Sequence, residues 1–470
     1  LTRGDAPGDC FRPQGRRARR DDGESRVCTD ALWIRDTAWL SAYRVAARPA
    51  EIQGEPQTMT RIEHDVDHAR LVGGESVGYV HHEVEDVARG IGPVHVAHQA
   101  NGVRVHIVTT GLEQARTLLN NHPGLTKDAA GIASVMRDHM VEAGVEPNVT
   151  AVIGGSMINT DPPDHTRLRR PVAAALTPRR VQELRHNVVG ITRGLLDAMD
   201  PDQPVDMVAG LALPLPLMVI CELLGVPARD RGMLAGWSSA MMTEVPEQQQ
   251  PASEAMVGYL AELIENKRVR PDEALLSTLV HAGGEDRLAP EEVLTTAVLM
   301  VLAGHETTTA AIGNTLAALL HTDQWSSVAA NPDSVPAVVR ESLRWDPPTR
   351  NIPHYLVREP IDLDGGVTLR PGALVMVNLG SANRDPEAFG PDAHRFLPSR
   401  PRTARSHLTF GMGWHRCVGS PLATMETEIA VREVLARWPR ARPAVAVDRM
   451  RRNPYLVTNG FSEVGVTLAE

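Results

Sequence analysis

The chain is poor in cysteine, in aromatic side chains and in long apolar runs, and each shortage removes a class of protein. Its four cysteines, Cys10, Cys28, Cys221 and Cys417, share no two-residue spacing, so neither a disulfide framework nor a tetrahedral zinc site is encoded. Each sulfur stands alone. Aromatic residues make up 4% of the 470 positions, too few for a platform on which bases stack. Basic charge is also short, with 48 basic against 58 acidic residues and a net charge of −10. That balance argues against affinity built on phosphate neutralisation, and no nucleic-acid partner is expected. No stretch reaches the roughly 18 consecutive apolar residues of a spanning helix, and no N-terminal apolar block has the form of a secretory signal. A cytoplasmic protein without a membrane partner is expected. Internal repeats and low-complexity linkers are missing too, which favours one large domain over two modules.

What is present is a composition, 42% hydrophobic and 23% charged, that suits a folded chain. Residues 1–58 differ from the rest: "GRRARRDDGESR" is dense in charge and has no lasting period, the mark of a disordered segment. Native translation is expected to start at or near Met59, with a flexible tail as the other reading. Alternation around Asn101-Gly102 in "GPVHVAHQANGVRVHIVTT" predicts a β-hairpin. Helical periodicity then takes over. The strongest run, from about Pro290 to Leu320, has a proline and two glutamates in its first turn, as the helix dipole prefers. It is apolar nearly all round, so a central buried helix of about 45 Å is predicted. A second helix over 334–345 stops before Pro347-Pro348, and a last one runs from about Ser420 to Trp438. The expected fold class is mainly α with small β-sheets.

Chemistry concentrates in "FGMGWHRCVG", residues 410–419. Cys417 lies just before a helix that starts at Gly419-Ser420-Pro421, where the dipole and free N–H groups favour thiolate. Gly411, Gly413 and Gly419 allow positive φ and close approach to something flat, and Phe410 and Trp414 are placed to shield it. A haem iron wants such a ligand. An inert buried cysteine is the competing reading; a nucleophile is weaker, because no base is in view beyond His415. A second cluster, "AGHETTT" (303–309), interrupts the central helix with glycine, an acid and hydroxyls. Gly304 costs about 1 kcal/mol against alanine, and a buried Glu306 is costly unless paired. Ala303, Gly304 and Thr307 share one helix face. Thr307 is expected to bond back to the Ala303 carbonyl and open a groove, and Glu306 with Thr307 to form a proton relay in which the acid exchanges with solvent. A threonine-rich packing seam is the alternative. A zinc-protease reading fails, because Thr309 stands where the second histidine belongs.

The pattern Phe410-Gly411-x-Gly413-x-His415-x-Cys417-x-Gly419 resembles the haem-binding loop of the cytochrome P450 family, and the resemblance covers about residues 75–470. It implies a single-domain cytochrome P450 fold over 59–470 and a haem b whose iron takes Cys417 as axial thiolate and metal ligand. By the same resemblance, His415, His165 and Arg169 in "DPPDHTRLRR" and Arg350 in "PPTRNIPHY" face the propionates. Phe410, Gly411, Ala303 and Gly304 then lie against the cofactor, and Glu306 and Thr307 are the acid–alcohol pair. Glu341 and Arg344 in "ESLR", with Arg395 as third member, hold the scaffold of the cysteine loop. Arg167 and Arg170 are expected on a solvated face or a redox-partner patch. The implied activity is insertion of one atom of O2 into a small organic substrate, of the polyketide, macrolide or other secondary-metabolite kind seen in actinobacterial members. Its walls are expected from 122–155, 232–258, Ala303, Asn351 to Pro353 and "YLVTNGF". Because the chain has no flavin or iron–sulfur segment, a separate ferredoxin and ferredoxin reductase are implied, docking near Arg416. A peroxygenase of the same fold, or a silent haem protein that senses a ligand, are the rival readings.

Overall fold

The longest helix of the computed structural model, Pro290–His321, begins where the sequence signals place it. Pro290 fills the first turn, where its missing N–H costs nothing, and the Glu292 carboxylate turns back to accept from the Ala289 N–H at 2.8 Å. Apolar residues on every face bury it. From Thr296 to Leu320 only Leu302, Ala303, Gly304 and Thr307 are not buried. The helices Pro214–Leu224, Pro246–Val269, Val335–Trp345 and Ser420–Arg437 pack around it. Leu215, Val298, Leu316, Val339 and Val431 belong to the resulting core, each contributing about 1.5–3 kcal/mol by leaving water. The structure describes residues 76–99, 101–145, 155–242, 246–284, 287–401 and 406–468. The expectations for residues 1–58 and for a start at Met59 lie outside them.

Helices dominate, and the β-structure is small. The expected hairpin forms from β1 (Val94–His98) and β2 (Arg104–Val108), antiparallel with Val94 opposite Val108. It joins β3 (Leu125–Thr126), β4 (Asn351–Val357) and β5 (Leu374–Asn378) in one sheet of order β1-β2-β5-β4-β3. Strand β5 lies parallel to β2 and is buried on both faces. Val375 and Val377 pack into one apolar cluster, Leu374 and Met376 into another, which is why "LVMVN" reads as an unbroken apolar run. Leu125 pairs with Val357 and Thr126 with Leu356, so the next residue, Lys127, is set beside Tyr355. Among the described residues no helix is long and apolar enough to cross a membrane.

Two ion networks fix the segments that lead into the cysteine loop. Arg344 and Glu341, one turn apart on a helix, pair through two bonds of 2.7 and 2.9 Å. Arg344 also donates to the carbonyls of Asn383, Ala393 and Arg395, and Asn383 binds Thr409 and the Leu408 N–H. The third cation differs from expectation. Arg400, not Arg395, reaches Glu341, at 3.2 Å, while Arg395 lends only its carbonyl. A loop that doubles back brings Arg400 under the helix, a return that no local spacing records. Arg167 also departs from a solvated role: it clamps Glu292 with bonds of 2.6 and 2.9 Å, tying its helix to the start of the central one.

Candidate functional site

The cysteine loop closes on itself through the Cys417 N–H to the Phe410 carbonyl (2.8 Å) and the Gly411 N–H to the Leu408 carbonyl (2.7 Å). Gly411 and Gly413 both take φ of +67°. Gly413 is required twice over, since a Cβ there would sit 2.2 Å from Asn121 Oδ1, which accepts the Trp414 N–H. Phe410 packs on the main core, whereas Trp414 is 47% exposed and shields nothing. The sulfur itself is accessible, yet dense protein surrounds it, which describes a thiol in a cleft. Desolvation raises its pKa; the N–H groups of Gly419 and Ser420 and the charge of Arg169 pull it back, and the net shift is upward. Backbone donors are aimed at the sulfur but do not ionise it alone. A metal cation bound to this sulfur would supply the remaining charge, because a coordinating thiol is deprotonated outright.

On the central helix the four residues that escape burial mark a cleft. Ala303 is exposed in mid-helix, and the Thr307 hydroxyl donates to its carbonyl at 2.6 Å. Glu306 turns elsewhere. It is 5% exposed and accepts from Ser239 Oγ at 2.9 Å, so the expected direct exchange with solvent is not what this side chain does. His305 is fully buried between Ser238 Oγ (3.1 Å) and the Leu213 carbonyl (3.2 Å), and burial lowers its pKa; its role is structural.

Basic and donor groups gather on the helix Asp164–Ala175, the cysteine loop and the β3–β4 corner. Arg169 donates to the Arg416 carbonyl at 2.5 Å, which brings its charge to the sulfur. The His165 and His415 rings lie 4.5 Å apart. Both His165 nitrogens, His415 Nε2 and His354 Nε2 are buried without a hydrogen-bond partner. Burial, then Lys127 and His165, depress the His415 pKa to about 3; burial and Lys127 bring His354 to about 4. Native proteins rarely leave so many buried polar atoms unsatisfied. With donors and cations on one side and a sulfur on the other, the residues fit a planar, metal-bearing group with acidic arms.

Arg350 does not join this gathering. It is 3% exposed, with Nε 3.5 Å from Glu85 Oε1 and Nη2 3.2 Å from Asn459 Oδ1, drawn there because the buried Glu85 also engages Arg384 and needs cations. Lys127 and His354 were not signalled by any motif. A usable sign was scarcity: Lys127 is one of two lysines in the chain, the other being Lys267.

Three comparisons complete the description. The family model described as Cytochrome P450 matches residues 333–454. Cytochrome P450 107B1 of Saccharopolyspora erythraea is 37% identical over 377 residues, 80% of this chain and 92% of that protein. The 6-deoxyerythronolide B hydroxylase of the same organism is 35% identical over 367 residues, covering 77% and 90%. Among solved structures, the tirandamycin C-bound P450 monooxygenase TamI superposes with a TM-score of 0.75 at 34% identity, over 83% of this chain and 97% of its own.

Proposed function

The chain belongs to the cytochrome P450 family of haem-thiolate monooxygenases, and from that premise we propose that Cys417 is the iron ligand and that a secondary metabolite of the polyketide or macrolide class is oxidised above it. Bound haem supplies the reductive cleavage of O2, which with two electrons and two protons puts one oxygen atom into the substrate and releases the other as water. The protein's residues do the rest. Gly419 and Ser420 hold the sulfur's charge through their N–H groups, and His165, His415 and Arg169 offer donors to the acidic arms.

Thr307 gives its own proton to Ala303, so its oxygen presents lone pairs to the cleft and accepts there, fixing a water molecule in place. The proton comes from Glu306, whose carboxyl is held by Ser239 until it turns toward the helix groove. The small, exposed Ala303 leaves room for a large substrate, whereas Gly304 faces Ile220 of the neighbouring helix, which a Cβ there would meet at 3.3 Å. Relatives that hydroxylate 6-deoxyerythronolide B or bind tirandamycin C support that size class. Electrons arrive from a separate ferredoxin and its reductase. The four cysteines are too scattered to hold a cluster in cis, and exposed Trp414 and Arg416 on the cysteine loop offer a docking face near the sulfur.

The observation that carries this reading is the sulfur held by two N–H groups opposite an unsatisfied set of donors. A reduced carbon-monoxide difference spectrum tests it: the red-shifted Soret band of thiolate ligation is expected, and a band typical of histidine ligation sinks it. A spin-state titration with polyketides and macrolides tests the substrate class.

A further inference from the structure

Lys127 is a buried cation without a counter-ion. It is 1% exposed, and its ammonium has three protons to place. One goes to the Pro353 carbonyl at 2.6 Å, and the charge lies 3.9 Å from the centre of the Tyr355 ring. Among the described residues no carboxylate forms an ion pair with it. Asp161 is the acid whose charge reaches it, but that carboxylate already accepts from Thr126 Oγ1 and the Lys127 N–H and faces His415. Desolvation accordingly drags the lysine pKa down to about 7. The other lysine shows the contrast, since Lys267 is paired with Asp272. Every remaining basic side chain of the chain is arginine, so a lysine in this position is a departure from the chain's own habit.

Around Lys127 donors outnumber acids, and the nearby Asp161 carboxylate is already engaged by Thr126 and the Lys127 N–H. His354, His415 and His165 bring ring nitrogens that are buried and unpartnered, and the charge of Lys127 acts on both His354 and His415. A buried ammonium is stable only when paired or neutralised. Resting on the haem reading above, we propose that Lys127, seconded by His354, binds one propionate carboxylate of the haem, the part expected of Arg350. An ammonium on a flexible stem suits this corner, where strand pairing presents the side chain from the neighbouring strand and the carboxylate needs a positive charge. His354 adds a neutral donor to the same oxygen pair.

The test uses the purified holoenzyme and follows haem transfer to excess apomyoglobin. K127M is expected to lose haem about tenfold faster than the wild type, the value of one charged hydrogen bond at about 1.4 kcal/mol per decade, and K127R to return within about threefold of it. The same assay on protein carrying haem dimethyl ester, which has no carboxylates, separates binding from a general loosening. Esterification is expected to speed loss from the wild type more than from K127M, in which only the contacts of the other propionate remain to be lost. Wild-type retention by K127M, or an equal effect of the substitution on haem and on its ester, overturns the proposal. Both outcomes leave the thiolate spectrum intact, whereas failure of the haem reading itself shows as a wild type without that spectrum.

Discussion

Buried charge is handled in two opposite ways in this molecule. In the scaffold, three buried acids face cations: Glu341 has Arg344 and Arg400, Glu85 has Arg384 and Arg350, and Asp346 has Arg452 at 2.7 Å with Asn459, His81 and His82 around it. In the cleft beside the cysteine loop, Lys127, His165, His354 and His415 are buried with donors to spare. Complete networks make a rigid frame, and incomplete ones are where a ligand finishes the count. The same rule accounts for Arg350's contact with Glu85. An arginine beside Glu85 belongs to the first kind.

Removing the sulfur tests the cleft most severely. Cys417→Ala leaves the fold's ion networks untouched but deletes the thiolate proposed to bind iron, and complete loss of the thiolate-type carbon-monoxide spectrum is expected. Retention of that spectrum would assign the ligand elsewhere. On the scaffold side, Glu341→Gln strips the negative charge from between Arg344 and Arg400. Breaking a buried pair in this way costs about 3–5 kcal/mol, read as a shifted urea midpoint. A loss under about 1 kcal/mol would mean that the network is no frame.

The central helix offers the sharper contrast, because the two readouts separate. Glu306→Gln and Thr307→Ala alter the proposed proton relay, and each is expected to change urea stability by no more than about 1 kcal/mol, the worth of a single hydrogen bond. Substrate oxidation is expected to fall about 10²-fold, the low end of what a positioned acid contributes. NADPH consumption should persist without product, detectable as peroxide. If coupling stays at the wild-type value, the pair belongs to the packing of the helix and not to proton delivery.

How much of this was legible in the sequence depended on the range of the signal. The central helix, the hairpin around Asn101-Gly102 and the cysteine loop all declare themselves within a few residues, through periodicity, turn chemistry and helix-start signals. They appear at the expected places. So did the back-bond from Thr307 to Ala303, which is dictated by i, i−4 geometry. Lys127, Arg350 and Arg400 are different in kind. Their partners are set by strand pairing and by a returning loop, so a shift of a few positions along the chain changes which cation meets which acid. Glu306 shows the same limit on a helix: spacing placed it beside Thr307, but only packing against Ser239 decided where its carboxylate points.

The smallest expected effect concerns acid, and it falls on the scaffold side. His81 and His82 both lean on Asp346, with Nε2 at 3.1 and 3.3 Å from one oxygen. Burial lowers both pKa values, His82 to about 4, with Arg384 adding to the fall and Asp346 and Glu85 opposing it; for His81, Arg452 and His82 itself add to burial. A histidine depressed in the folded state must gain its proton against the fold. Its contribution to stability is therefore whole above its unfolded value near 6.5 and is lost as pH falls from there toward the folded value. Between about pH 7.5 and about pH 5.5, each such histidine is expected to withdraw about 1.4 kcal/mol. Comparing urea midpoints of the wild type and His82→Gln at about pH 7.5 and about pH 5.5 isolates the term, since glutamine cannot titrate. The variant should lose less on acidification. Equal losses would mean that His82 meets the proton without penalty, and that the Asp346 network has negative charge to spare, unlike a complete frame.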